Sequence, residues 1–166
     1  DPYSASKACA EIVAQAYRWS FLETGREPAY LATARAGNVM GGGDWAEDRL
    51  VPDAMRAFHA GLPLIVRNSR SVRPWQHVLD PLYGYLLLAQ RLAQEGAAWC
   101  GPWNFGPAEE DACEVRNLAD LLAQAWGEER SWKEEAQGRA PHEARLLRLD
   151  RAKARKNLGW RPGFSL

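Results

Sequence analysis

The chain has 166 residues, close to one domain at roughly 100–200 residues per domain. Its 46% hydrophobic and 25% charged residues are the composition of a globular protein and exclude a disordered or fibrous chain. Lys+Arg 21 balances Asp+Glu 21, which speaks against a nucleic-acid or anionic membrane surface acting through bulk charge.

No run approaches the roughly 20 apolar residues of a bilayer span, and no charged-then-apolar leader opens the sequence. Cys9, Cys100 and Cys113 form no Cys-x-x-Cys pair, and with three His they offer neither a disulfide framework nor a zinc site; a reducing cytoplasm is the simplest compartment. Eight Trp suit packed cores and the walls of polar ligand sites.

In chain order, Asp1-Pro2 and the Ala-rich run after them predict a helix to Leu22, with Asp as the cap, Pro in the first turn and Gly25 as the stop. Residues 30–40 read as a small-residued strand ending at Gly41-Gly42-Gly43. A helix over about 49–60 carries Pro52 in its first turn, and residues 62–66 form a brief strand. Residues 67–74, polar and basic without periodicity, read as a loop leading into Trp75-Gln-His77-Val78-Leu79-Asp80. A Leu-rich helix over 81–93, a short strand at 103–106 and an amphipathic helix over 115–126 stopped by Gly127 follow. Then come a charged loop over 128–139 and a basic helix over 151–158, capped by Asp150 and closed by Gly159; Ser165 stands where a further helix would start. There is no internal repeat or low-complexity segment. Strands alternating with helices give an α/β class with at least part of a parallel sheet. The strands are few and short for a free-standing doubly wound domain, so the expectation is a piece of a larger α/β protein, cut at both ends.

Tyr3 and Lys7, four apart on a helix, share a face. An ammonium beside a phenol favours the phenolate, which suits acid–base work near neutral pH; the same spacing also arises by chance on ordinary helix faces. Gly41-Gly42-Gly43-Asp44-Trp45-Ala46 fits the relaxed G-x-G-x-x-G/A fingerprint, which expects an acidic residue roughly 20 positions on. Residues 60–79 hold no Asp or Glu, so the glycines read instead as a loop that lets backbone approach a bound sugar. Arg67, Arg70 and Arg73 suit phosphate oxygens, or belong to a solvated basic loop. Trp75 and His77 beside them suit a core. Asn38 and Asn104, each at a strand end, are turn formers or sugar-hydroxyl ligands. Arg151, Lys153, Arg155, Lys156 and Arg161 read as a solvated face favourable to its own helix dipole.

Taken in order, the strings Tyr3-x-x-x-Lys7, Arg35-Ala-Gly-Asn38-Val-Met-Gly-Gly-Gly-Asp44-Trp45, Arg73-Pro-Trp75-Gln-His77-Val-Leu-Asp80, Trp103-Asn104-Phe-Gly-Pro107, Pro141-His142-Glu143-Ala144 and Leu158-Gly-Trp160-x-Pro162 identify a likeness. The chain resembles the extended short-chain dehydrogenase/reductases that act on nucleotide sugars, nearest to their 4,6-dehydratase branch, over essentially its whole length. It looks like the second half of such an enzyme. The resemblance implies the C-terminal part of an NAD-binding Rossmann-type fold with a smaller substrate-binding domain. On that reading residues 1–40 end the NAD-binding domain, and 41–166 are mainly substrate-binding with Rossmann elements interleaved.

The chemistry it implies is that of a lyase. NAD+ accepts hydride from C4 of CDP-glucose while Tyr3 takes the 4-hydroxyl proton; water leaves across C5 and C6, and hydride returns to C6 to give CDP-4-keto-6-deoxyglucose. The cofactor is then a bound catalyst, not a consumed substrate, in cytoplasmic deoxysugar synthesis of the kind that feeds the O-antigen of lipopolysaccharide. The same likeness places Tyr3, Lys7, Ala36 and Asn38 at the cofactor, with Lys7 on the nicotinamide ribose. It puts Asn38 also at the sugar or phosphates, Arg73 at the diphosphate, Asn104 at the nucleotide end and His142 by the substrate. Arg49, Leu50, Leu64 and Val66 would line the base. No metal is implied.

In that family the glycine-rich phosphate loop, the ribose-binding acid and the elimination acid–base pair precede the Tyr, so this stretch alone is expected neither to bind NAD well nor to turn over. In that family the helix carrying Tyr and Lys commonly builds the subunit interface, so the resemblance implies a homo-oligomer, a dimer or tetramer, for the intact protein; Ile12, Val13, Trp19 and Phe21, exposed without the rest of the sheet, are expected to leave the isolated stretch poorly folded or self-associating. Alternatives of the same chemistry are a dTDP- or GDP-sugar 4,6-dehydratase or a 4-epimerase; from another class, a non-catalytic nucleotide-sugar-binding remnant.

Overall fold

The computed structural model describes residues 1–23, 29–127, 129–135 and 144–166. Among them the chain runs α1 (Pro2–Tyr17), β1 (Ala32–Ala36), β2 (Asn38–Met40), α2 (Leu50–His59), β3 (Leu64–Val66) and β4 (Val72–His77). It continues with α3 (Leu79–Glu95), β5 (Gly101–Phe105), β6 (Ala112–Glu114), α4 (Val115–Trp126), β7 (Trp132–Glu134) and a π-helical turn, Ala154–Leu158. These elements fall into two compact units that interleave along the sequence. The first comprises Asp1–Ala36, Leu79–Gly106 and Leu149–Phe164; the second comprises Gly37–Val78, Pro107–Arg148 and Ser165–Leu166.

The first unit starts as its sequence requires. The Asp1 carboxylate accepts the Ser4 N–H at 2.8 Å and the Ser4 hydroxyl at 2.9 Å, satisfying donors that the first helical turn leaves open. The helix then loosens into a π turn at Arg18–Leu22; the predicted stop, Gly25, lies outside the described residues. Strands β1 and β5 pair in parallel from Ala32↔Gly101 to Ala36↔Phe105. The core joins Leu88 of α3 to Trp103 and Phe105 of β5, and to Ala154, Leu158 and Trp160.

Phe105 meets Trp160 edge-on with centroids 5.1 Å apart, and Trp99 stacks on Trp103 at 5.5 Å, geometries that aromatic quadrupoles favour. Gly84 makes room for this cluster, since a Cβ there would lie 2.3 Å from Phe105 Cδ1 and 2.9 Å from Trp160 Nε1. Trp160 Nε1 donates to the Asp80 carbonyl at 3.1 Å, and the buried Asp80 carboxylate accepts the Gly163 N–H at 2.8 Å. Those two bonds tie the end of the chain to the first turn of α3. Lys153 lies 3.9 Å over the Trp103 ring and donates to the Pro102 carbonyl. Burial first, then the charges of Arg18 and Arg35, hold its ammonium below the usual lysine range.

In the second unit β2 and β4 pair in parallel and β4 and β6 antiparallel, while β3 and β7 form a separate parallel pair. Helices α2 and α4 bury Ala54, Phe58 and Ala119 with Leu64 and Val66 of β3, and Phe58 packs on Trp126 at 5.8 Å. The amphipathic helix over 115–126 forms as expected, with Gly127 past its end at φ 78°. At the other end of the sequence, in the first unit, Asp150 Oδ1 takes the Ala152 N–H and Gly159 adopts the left-handed conformation, as its composition predicts.

Three expectations are corrected. Residues 67–74 are not all loop, because Val72 opens β4. That strand lies between two partners with Arg73, Pro74, Trp75 and Gln76 all buried, so it shows none of the in–out alternation that marks a half-exposed strand. Within 128–139, Trp132–Glu134 is a strand, three residues being too few to display a period. The strand over 30–40 is two, β1 and β2, parted at Gly37, where a Cβ would lie 2.3 Å from the Pro74 carbonyl oxygen.

Candidate active site

Of the residues singled out in the sequence, Tyr3, Lys7, Ala36 and Asn104 lie in the first unit, and Asn38, Arg49, Leu50, Leu64, Val66 and Arg73 in the second. His142 lies outside the described residues.

Tyr3 and Lys7 stand on the first two turns of α1, the ammonium 5.3 Å from the phenol ring centroid. Tyr3 is 71% exposed. Its backbone carbonyl accepts the Ser6 hydroxyl at 2.7 Å; Lys7 is likewise exposed at the surface of this unit. Ala36 ends β1 opposite Phe105, and Asn104 of β5 faces Arg35. Asn104 Nδ2 donates to the Asp150 carbonyl at 3.0 Å, while its buried Oδ1 has no hydrogen-bond partner among the described residues. Part of this side chain therefore braces the turn into the last helix, and its acceptor is left over.

In the second unit Asn38 opens β2 opposite Trp75, two residues along β4 from Arg73. Arg73 is only 5% exposed and donates from Nη1 to the Val72 carbonyl at 2.9 Å. The indole Nε1 of Trp75 is buried without a hydrogen-bond partner among the described residues. The glycine loop starts from β2: a Cβ at Gly41 would lie 2.5 Å from Val78 Cγ1, whereas Gly42 and Gly43 face open space, Gly43 at φ 81°. Asp44 closes the loop by accepting the Ala46 N–H at 3.1 Å and pairing with Arg49 at 3.0 Å. The Ala46 hydrogen bond first, and then Arg49 with Arg56, hold its carboxyl below the usual range. Arg56 also reaches the carbonyls of Trp45 and Ala46. Helix α2 begins only at Leu50, seven residues past Gly43, so the glycines do not lead directly into a helix N-terminus as in a helix-capped phosphate cradle.

Leu64 and Val66, expected to line the base, have their side chains in the core of this unit. Strand alternation turns Leu64 and Val66 inward, at 1% and 2% exposure, and leaves Ile65 outside; Ile65 and the backbone are what β3 offers a ligand. Arg67 pairs with Asp48 at 2.9 Å, a partner distant in sequence. Sequence reasoning also passed over Glu11. Its carboxylate accepts from Thr33 Oγ1 at 2.8 Å and lies 3.5 Å from Arg35 Nε; the four-residue spacing Tyr3, Lys7, Glu11 was the available signal. Among the described residues no group of His, Cys, Asp and Glu could hold a metal ion, and no helix is long and apolar enough to cross a membrane.

Parallel strand pairs with helices in each of two units define a mixed α/β chain. More particularly, the chain belongs to the NAD dependent epimerase/dehydratase family, whose match runs over residues 1–100. It is 50% identical over 169 aligned residues to the CDP-glucose 4,6-dehydratase of Salmonella typhimurium, covering 100% of this chain and 47% of that protein. The chain thus spans about half the length of the curated relative it matches. Among solved structures it is similar to a dTDP-glucose 4,6-dehydratase double mutant from Streptomyces venezuelae with NAD bound, at TM-score 0.77 and 25% identity over 99% of this chain and 47% of that one. It shares its fold with the UDP-glucuronic acid 4-epimerase of Bacillus cereus in complex with UDP-glucuronic acid and NAD, at TM-score 0.78 and 18% identity over 99% of this chain and 48% of that one.

Proposed function

We propose that this chain is one half of an NAD-dependent CDP-glucose 4,6-dehydratase, which converts CDP-glucose to CDP-4-keto-6-deoxyglucose with loss of water. The observation that carries this reading is the 50% identity to a CDP-glucose 4,6-dehydratase along the entire chain. Fold likeness alone does not select a dehydratase, because dehydratase and epimerase structures match with similar TM-scores. The first unit is assigned to the end of the NAD-binding domain and the second to nucleotide-sugar binding.

The donor set suits NAD: an exposed phenol beside an ammonium, one helical turn apart, can meet a substrate hydroxyl and the vicinal hydroxyls of a ribose. NAD, when bound, supplies the reversible two-electron oxidation at C4 that acidifies the C5 proton. The protein's own residues do the rest. Tyr3 takes the proton of the 4-hydroxyl at its phenolic oxygen and releases it to solvent, because the product keeps its 4-keto group; Lys7 holds the ribose and offers its positive charge to the phenolate. Ala36 and Asn38 lie at the nicotinamide side, and Asn38 and Arg73 hold the sugar and diphosphate, Arg through its planar fork. Asn104 and His142 contact the substrate, while Arg49, Leu50 and the strand Leu64–Val66 flank the base. The intact protein is a homo-oligomer joined through α1.

The test is Tyr3→Phe in the complete polypeptide, which removes the proton carrier and keeps the ring. The expected result is unchanged NAD content with dehydration of CDP-glucose slowed by about 10²–10⁴-fold, the range for loss of a general acid–base group. Wild-type turnover by Tyr3→Phe overturns the assignment.

A further inference from the structure

We propose that Glu11 is a positioning residue for this reaction: it fixes the depth and rotation of α1 on β1, and through them the placement of Tyr3 and Lys7. The inference rests on the reading of those two residues given above. Tyr3, Lys7 and Glu11 follow one another at four-residue intervals and so form one stripe of α1. Glu11 makes the grip. Its Oε2 accepts from Thr33 Oγ1 at 2.8 Å and its Oε1 lies 3.5 Å from Arg35 Nε. Thr33 and Arg35 are two apart on β1 and share one face of that strand. One carboxylate therefore bridges two strand positions, which fixes a helix against both sliding and turning.

Within this stretch of chain no residue of α1 is buried, and the side-chain links from α1 to β1 are polar. A cavity of about 230 Å³ lies among α1, β1 and β5, with Glu11, Gln15, Arg18, Thr33, Arg35 and Pro102 on its walls. A carboxylate that reaches across this cleft to two strand positions adds a directional constraint to whatever else packs on α1 in the complete protein. Both side-chain links described between α1 and β1 run to Glu11. At 1.5 Å of rise per residue, Tyr3 stands about 12 Å along the axis from this anchor. A small tilt at Glu11 becomes an ångström-scale displacement at the phenol, and a misplacement of that size costs about 10²-fold in rate.

The experiment uses the complete polypeptide with CDP-glucose and compares Glu11→Ala with Glu11→Gln. For Glu11→Ala the expected result is a KM and NAD content within about twofold of wild type and a kcat lowered roughly 10- to 100-fold. Glu11→Gln, which keeps an oxygen acceptor for Thr33, recovers most of that loss. Wild-type kcat in Glu11→Ala overturns the proposal, as does an equal loss of kcat in both variants accompanied by loss of NAD. A second arm needs no turnover: unfolding midpoints of Glu11→Ala, Thr33→Val and the double variant are expected to be non-additive, and strict additivity contradicts the anchor. If the wild-type protein leaves CDP-glucose unchanged while the midpoints are non-additive, the functional reading fails and the anchor stands.

Discussion

At the scale of single residues, the structure explains why a residue without a side chain sits in the middle of a helix. Gly84 in the interior of α3 is unfavourable by intrinsic propensity, yet Phe105 and Trp160 occupy the space its Cβ would need. Gly84→Ala is accordingly expected to destabilise the fold by about 1–3 kcal/mol, the usual range for overpacking, seen as a lower urea midpoint with unchanged slope. A neutral or stabilising effect, the outcome propensity alone predicts, contradicts the packing described here. The i,i+4 pair Tyr3 and Lys7 was legible because a helix places such residues together whatever surrounds them. The same spacing puts Glu11 on that stripe, but its partners Thr33 and Arg35 lie on a strand 22 and 24 positions away, and local spacing says nothing about them. Leu64 and Val66 show the converse limit: their apolar type is as compatible with a base-lining wall as with the core that in fact takes them.

At the scale of elements, helices with caps and stops were read well and strands less so. The helix Val115–Trp126, the Asp150 cap and the Gly159 stop carry their signals locally. Strand β4 carries none, since burial on both faces removes alternation and its charged and proline positions look like loop. Its identity comes from partners at 38–40 and 112–114, and β7 likewise depends on β3. Phe58 joins α2 to β3 and α4 and is fully buried. Phe58→Ala is expected to cost about 3–5 kcal/mol, measured by chemical denaturation, with amide exchange rising across α2, β3 and α4. A loss below about 1 kcal/mol contradicts the placement of that core, because it falls outside the range for a buried phenylalanine.

At the scale of the whole molecule, the sequence strings that carry the family likeness are divided between the units. Tyr3, Lys7, Asn104 and Trp160 lie in one, and Asn38, Asp44, Arg73 and His77 in the other. Their order along the chain was legible, but the change of unit at Gly37, inside what reads as a single strand, was not. A one-residue break between Ala36 and Asn38 leaves no compositional trace, and only pairing with β5 on one side and β4 on the other distinguishes the two strands.

On the function proposed above, the complete protein removes water from CDP-glucose. The most direct measurement presents the NAD-loaded complete polypeptide with CDP-glucose, dTDP-glucose, UDP-glucose and GDP-mannose separately, and follows the mass of each sugar nucleotide together with formation of a 4-keto-6-deoxy product. The account predicts loss of one water from CDP-glucose, with a kcat/KM at least about tenfold above that for the other three, a modest preference on the scale that binding-pocket contacts supply. An isomer of unchanged mass from any of the four, or no reaction with all of them, contradicts it.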